Sequence, residues 1–300
     1  PPLPMSPDAL LPDAFSLDAI PAIPRPGRVL MTTPEHFAVE YVINPHMEGN
    51  VGDVDPARAR AQWDALKDAY ERLGVEVVEV AGVADLPDMV FCANQTLPYQ
   101  TPGGERGVIL SRMHAPQRKP EVEHYERFFG GEGYEVHALD ADLPGDFEGM
   151  GDALWHPGRY LLWGGYGYRT DRQGYTRFAD TLGFPIVALE LTDPDFYHLD
   201  TCLCPLDEET ALYYPGAFTD EGIAAIRQHF RRVIEAPEDD ARERFACNAH
   251  SPDGRHVLIQ KGCTDTNELL RAAGFEPVEM DTSEFLKSGG SVFCMKLMFW

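Results

Sequence analysis

A cysteine near the C-terminus, a histidine two-thirds of the way along and an acid near the middle are the residues of this chain most suited to covalent chemistry. Cys294 follows Ser288, Gly289, Gly290 and Ser291, a loop whose backbone can come close to a ligand and offer amides to developing charge. A thiol there suits a nucleophile, because a cationic substrate or an imidazolium beside it raises the thiolate fraction. His198 lies in Tyr197-His198-Leu199-Asp200. Read as a strand, that segment points His198 and Asp200 to one face, where a carboxylate would orient the imidazole for giving and taking a proton. Asp88, Glu148, Asp152 and Asp200 are acids in otherwise apolar or glycine-rich stretches. Carboxylates so embedded are costly unless paired or bound to a cation, and a guanidinium, planar and forked, is their natural match. Taken singly, each has an ordinary alternative: a buried thiol, a structural histidine, a capping acid. Cys202 and Cys204 beside His198 raise a metal site, but no second His/Cys cluster at ligand spacing supports it, and neither a metal nor an organic cofactor is expected.

The elements that must position these residues come from a weak repeat. Trp63, Leu66, Tyr70 and Leu73 have helical spacing between Pro56 and Leu73, Gly74 stops the helix, and the β-branched run Val75 to Val80 predicts a strand. The same order recurs before Gly133 (strand 134–139), Gly183 (184–191) and Gly274 (275–280), and once without the glycine, where the helix 220–232 runs into Val233 and Ile234. A chemically loaded stretch follows each strand, marked by Asn94, Glu148, His198, Asn248 and Cys294 at spacings of 54, 50, 50 and 46 residues. If five like units pack around an axis, these positions converge on one central site. A doubly wound α/β sheet is the alternative, weakened by the lack of a Gly-rich nucleotide loop after the first strand.

Composition narrows the rest. With 25 basic against 49 acidic side chains, a formal net charge of −24, the chain is ill suited to phosphate backbones, and no nucleic-acid partner is expected. No apolar run is long enough to span a bilayer, so no membrane partner is expected either. Six cysteines, separated except for the Cys202/Cys204 pair, read as reduced thiols of a cytoplasmic enzyme. Residues 1–27, with eight prolines, form an expected N-terminal arm, and 28–300 a single catalytic domain. The arm lacks the charged and apolar regions of a signal peptide, although a targeting segment preceding Pro1 is left open.

As a set, these motifs resemble the guanidino-group modifying enzymes of the amidinotransferase/deiminase (pentein) superfamily, from about Arg28 to the C-terminus. The resemblance is strongest to the bacterial arginine dihydrolases and next to dimethylarginine dimethylaminohydrolase. It implies a five-bladed α/β propeller, with pseudo-fivefold repeats around a central active site. It implies Glu148 (in FEGMGD), His198 (in HLDT) and Cys294 (in GGSVFC) as catalytic residues. Asp88 (in PDMVF), Asn94, Asn44 (in YVINP), Arg118 and Asp200 are the implied substrate-binding residues, with Arg118 expected to hold an α-carboxylate. Asn94 resembles the dihydrolases, where dimethylargininases and deiminases tend to carry an acid. Gln95-Thr96 departs from the small residues usual after it, and the hairpin at 101–106 looks longer than in relatives. The implied reaction has Asp88 and Glu148 grip the guanidinium while Cys294 attacks its carbon, giving a thiouronium that water hydrolyses with His198 as acid and base. The expected partner is a small molecule, arginine or a methylated arginine, with a homo-oligomer left open. The activity this resemblance implies is arginine dihydrolase, taking arginine to ornithine, ammonia and carbon dioxide; dimethylarginine dimethylaminohydrolase, arginine deiminase, an amidinotransferase and a non-catalytic propeller are the alternatives.

Overall fold

The computed structural model describes residues 15–139, 145–175, 183 and 185–300. Much of the expected arm, with Leu182 and Phe184 of the third repeat, lies outside these residues.

The first unit shows how sequence becomes structure. Helix α1 (Pro56–Arg72) starts where Asp55 accepts from the amides of Ala57 and Arg58 and proline takes the first helical position. Its inner face, Ala59, Gln62, Trp63, Leu66, Ala69 and Tyr70, is buried. Each large apolar side chain removed from water contributes on the order of 2 kcal/mol. The helix ends at Gly74, whose φ of 80° only glycine adopts without strain. It connects strand β1 (Arg28–Thr32) to β2 (Glu76–Val80), which pair in parallel with Leu30 opposite Val78.

Four further units follow. Strands β3 (Thr96–Gln100) and β4 (Arg106–Leu110) form an antiparallel hairpin, and helix α2 (Val122–Gly131) returns the chain to β5 (Glu135–His137), parallel to β4. The short helix α3 (Gly149–Asp152) precedes antiparallel β6 (Ala153–Trp155) and β7 (Leu162–Tyr166), and β8 (Ile186–Glu190) lies parallel to β7. Antiparallel β9 (Leu203–Pro205) and β10 (Thr210–Tyr213) are followed by α4 (Asp220–His229) and β11 (Arg232–Glu235), parallel to β10. After α5 (Glu238–Arg244) comes β12 (His256–Gln260), linked by α6 (Thr264–Ala272) to parallel β13 (Glu276–Met280). Helix α7 (Ser283–Leu286) leads to β14 (Leu297–Phe299), which returns to pair antiparallel with β1.

Thus, among the described residues, five small sheets share one order: a middle strand with a parallel neighbour on one side and an antiparallel one on the other. In the fifth sheet a single bridge, His250 to Leu258, stands for the antiparallel strand. The expected helix-stop glycines all have positive φ: Gly133 at 78°, Gly183 at 70° and Gly274 at 92°. Helix α4 ends at His229, three residues short of expectation, because Phe230 is already extended toward β11. The chemically loaded stretches lie between the sheets as short turns: Pro87–Val90, Gly149–Asp152 and Leu199–Thr201.

Candidate active site

A small cavity gathers Asn44, Asp88, Asn94, Arg118, Arg169, Tyr197, His198 and Cys294, together with Ser288 and Gly289 of the glycine loop. Cys294 and His198, 96 residues apart in the chain, therefore face one space. The glycines of that loop are needed for closeness. A Cβ on Gly289 would fall 2.8 Å from Asn44 Oδ1, and one on Gly290 2.3 Å from the Phe91 ring.

The Cys294 thiol is buried and lies 3.2 Å from Asp200 Oδ2, to which it donates. Asn248 Nδ2 donates to the sulfur at 3.1 Å. Asn248 is itself fixed, since its Oδ1 accepts from the amides of Ser291 and Cys294. Burial, then the Asp200 charge, pushes the thiol well above its ordinary range, which keeps the sulfur neutral. Burial likewise pushes the Asp200 carboxyl up to about 7, against the lowering effect of the thiol hydrogen bond.

His198 is where the expected strand fails. It caps a 3-10 turn, Leu199–Thr201, with Thr201 Oγ1 donating to its carbonyl. Alternation is lost, and Asp200 goes to Cys294 rather than to the imidazole. The partner of His198 is Glu148, with Nε2 and Oε2 2.6 Å apart. Burial alone would push Glu148 up. The hydrogen bond from His198 and the Arg169 charge outweigh it and hold the carboxyl at about 2. Glu148 is therefore an acceptor, Nε2 carries the proton, and Nδ1 is the ring nitrogen left for proton transfer. Asp152 stands behind, 3.9 Å from Nε2, taking the Leu199 amide and the Thr170 hydroxyl.

Glu148, expected to grip the guanidinium, already has partners for both its oxygens. It is wholly buried, takes no part in the cavity wall, and its oxygens are engaged by His198, Arg169 and the His114 amide. Asp88 does face the cavity, with Tyr41 donating to Oδ2 at 2.8 Å and Ser288 to Oδ1 at 3.1 Å. Asn44 caps a turn through Oδ1 and donates through Nδ2 to the Ser288 carbonyl.

Arg118 is buried, and Glu121, the carbonyls of Asp88 and Phe91, and Asn94 Oδ1 occupy most of its donors. Arginine has no acceptor, so the 2.8 Å contact fixes the Asn94 amide with its oxygen toward Arg118. Asn94 Nδ2 then has no partner among the described residues, although it is buried. A Cβ on Gly151 would fall 2.2 Å from that nitrogen and 3.4 Å from His198 Nδ1, which brings the amide and the imidazole together.

Arg169 and Asn248 are the functional residues that sequence reasoning missed or left without a role. Arg169 lines the cavity, donates to Glu148 and to the Ile43 carbonyl (2.7 Å), and lies 4.8 Å over the Tyr197 ring. Its signal was a lone arginine in the glycine- and tyrosine-rich run 164–169. Cys202 and Cys204 donate to backbone carbonyls, and no group of three or more His, Cys, Asp or Glu among the described residues is arranged to hold a metal ion.

A family model for eukaryotic N,N dimethylarginine dimethylhydrolase matches residues 33–298. The chain belongs to this family. Its similarity extends to the N(G),N(G)-dimethylarginine dimethylaminohydrolase of Mycobacterium tuberculosis, 40% identical over 91% of this chain and 86% of that protein. It extends equally to the bifunctional arginine dihydrolase/ornithine cyclodeaminase ArgZ of Synechocystis sp., 38% identical over 90% of this chain. The chain spans 37% of the length of that bifunctional relative. Among solved structures, the substrate-bound N-terminal domain of ArgZ, a cyanobacterial arginine dihydrolase, superposes with a TM-score of 0.84 at 37% identity, covering 90% of this chain and 97% of that one.

Proposed function

We propose that this dimethylarginine dimethylhydrolase family member is a cysteine-dependent hydrolase of the arginine guanidino group that works in two rounds, arginine to a ureido intermediate and then to ornithine, ammonia and carbon dioxide. Asn94 carries this reading. Its oxygen is committed to Arg118 and its amide N–H groups are buried without a partner among the described residues. A donor so placed suits a ureido oxygen, which a carboxylate would repel.

In the first round the guanidinium brings a positive charge to a neutral thiol. That charge favours transfer of the sulfur proton to Asp200, already 3.2 Å away, and attack on the guanidino carbon. Asn248 steadies the thiolate. His198, held by Glu148 through Nε2–H, enters as the imidazolium, and Nδ1–H protonates the departing ammonia. The neutral ring then takes a proton at Nδ1 from the water that attacks the thiouronium, and the sulfur released on collapse recovers its proton from Asp200. Asp88 meets a cationic group of the substrate, Asn44 helps to shape that end of the pocket, and Arg169 with the remaining N–H of Arg118 takes the α-carboxylate. In the second round the neutral ureido group brings no charge, and the Asn94 donor supplies the missing polarisation.

The second reading is dimethylarginine hydrolysis, favoured by the family model and by the mycobacterial relative. Product analysis separates the two. Ornithine and ammonia from arginine support the proposal, whereas citrulline alone, or citrulline with dimethylamine from dimethylarginine, overturns it.

We further infer that the five sheets are the blades of a single α/β propeller domain with a pseudo-fivefold axis. Their common strand order and the meeting of Asn94, His198, Asn248 and Cys294 around one cavity support this. Six free, buried thiols support a reducing compartment such as the cytoplasm, and among the described residues no helix is long and apolar enough to cross a membrane.

A further inference from the structure

A second cavity shares no lining residue with the first. Its charge is unusual for this chain. Although acidic side chains outnumber basic ones 49 to 25, no Asp or Glu lines this wall among the described residues, whereas Arg25 and Lys296 do. Asp207, Glu208 and Asp253 act on the Arg25 charge from outside the lining.

Lys296 is wholly buried, and its Nζ has no hydrogen-bond partner among the described residues. The ammonium rests 3.1 Å from the centre of the Phe293 ring. An ammonium taken out of water without a hydrogen-bonded acceptor is strongly disfavoured, and a ring face returns only part of that loss. Burial pulls the group down to about 7, a direction that a bound anion would reverse. Burial also keeps the two histidines of the wall neutral, with His156 held down at about 4 and His250 held well below the usual imidazole range.

Much of the rest of the wall is apolar in what it offers. The indole N–H of Trp155 donates to the Pro98 carbonyl at 2.9 Å and that of Trp300 to the Pro24 carbonyl at 2.7 Å, so both rings present only carbon. Both ring nitrogens of His156 are engaged, by the Glu208 carbonyl and the Trp163 indole. Part of the wall, from Ile23 to Pro26, belongs to the N-terminal arm and precedes the residues matched by the family model.

We propose that this cavity binds a small organic carboxylate, its charge on Lys296 and Arg25 and its apolar body against Trp155 and Trp300. Lys296 is two residues beyond Cys294 in the chain, and Asp200 and Cys294 act on its charge.

Tryptophan fluorescence of the full chain tests this, because two of its four tryptophans lie in the wall. The probes are hexanoate, hexanol and inorganic phosphate. Hexanoate should bind saturably, about tenfold or more tighter than either of the others, as one buried charge pair implies. Lys296→Met should reduce hexanoate to the level of hexanol while hexanol binding persists, the latter reporting that the cavity is still formed. Arg25→Gln should weaken hexanoate several-fold with arginine turnover unchanged, and it serves if the Lys296 variant does not fold. Hexanoate no tighter than hexanol, phosphate equal to hexanoate, a preference that survives both substitutions, or no binding by about 10 mM would each overturn the proposal.

Discussion

Replacing Asn94 with aspartate should separate the two proposed rounds of hydrolysis. In the wild type Oδ1 accepts from Arg118 at 2.8 Å and Nδ2 is a donor without a partner among the described residues, on a side chain that is 2% exposed. The introduced carboxylate would keep the arginine contact, strengthened by charge, and turn its second oxygen toward the substrate in place of the N–H groups. A guanidinium has donors for that oxygen, so loss of arginine should stay within about tenfold of wild type. A ureido oxygen has none. Removing one donor to a developing oxyanion costs roughly 3–4 kcal/mol, or about 10²–10³ in rate, before repulsion between the two oxygens is counted. Asn94→Asp should therefore convert arginine to citrulline and stop there. The assay is mass-spectrometric quantification of arginine, citrulline and ornithine over time, with ammonia measured in parallel. If the variant yields as much ornithine per arginine consumed as the wild type, the role given to Asn94 is wrong.

Three other substitutions bear on the same geometry. Gly151→Ala should mimic the loss of Asn94 while also lowering overall turnover, because its Cβ would fall 2.2 Å from Nδ2 and 3.4 Å from His198 Nδ1; product ratios and rates read both effects. Asn248→Ala removes the 3.1 Å donor to the sulfur, and alkylation of Cys294 by iodoacetamide at neutral pH should slow roughly tenfold, as one hydrogen bond to a charged group implies. Glu148→Gln should lower turnover by about 10² or more through the imidazole it holds. Its stability signature has a definite sign: Glu148 is depressed from 4.5 to about 2, so its contribution is full above about 4.5 and disappears as pH falls through 2. Thermal melts from pH 6 to 3 should accordingly show a shallower acid decline in the variant than in the wild type.

The repeat was legible because its punctuation is local. Gly74, Gly133, Gly183 and Gly274 end helices for a reason internal to each turn, a backbone angle that only glycine adopts cheaply. The marker spacing likewise brought Asn94, His198 and Cys294 to one cavity, and Asn248 with them. What escaped depends on partners distant in sequence. Tyr197 to Asp200 has the alternation of a strand, yet the Leu199 amide is bound by Asp152 and the segment curls into a 3-10 turn, sending Asp200 to the sulfur. The orientation of the Asn94 amide could not be read either, because it is set by an arginine 24 residues away. Lys296 left only a faint trace, one basic residue inside the apolar run 295–300, and its burial becomes visible only once β14 closes against β1.

Covalent capture at the sulfur is the most direct test. Acid-quenched enzyme turning over arginine, digested and mapped by mass spectrometry, should carry an amidino adduct on Cys294 and on none of Cys92, Cys202, Cys204, Cys247 or Cys263. Cys294→Ala should carry none and release no ammonia. Ammonia release by that variant near the wild-type rate, or an adduct on another cysteine, would contradict the assignment.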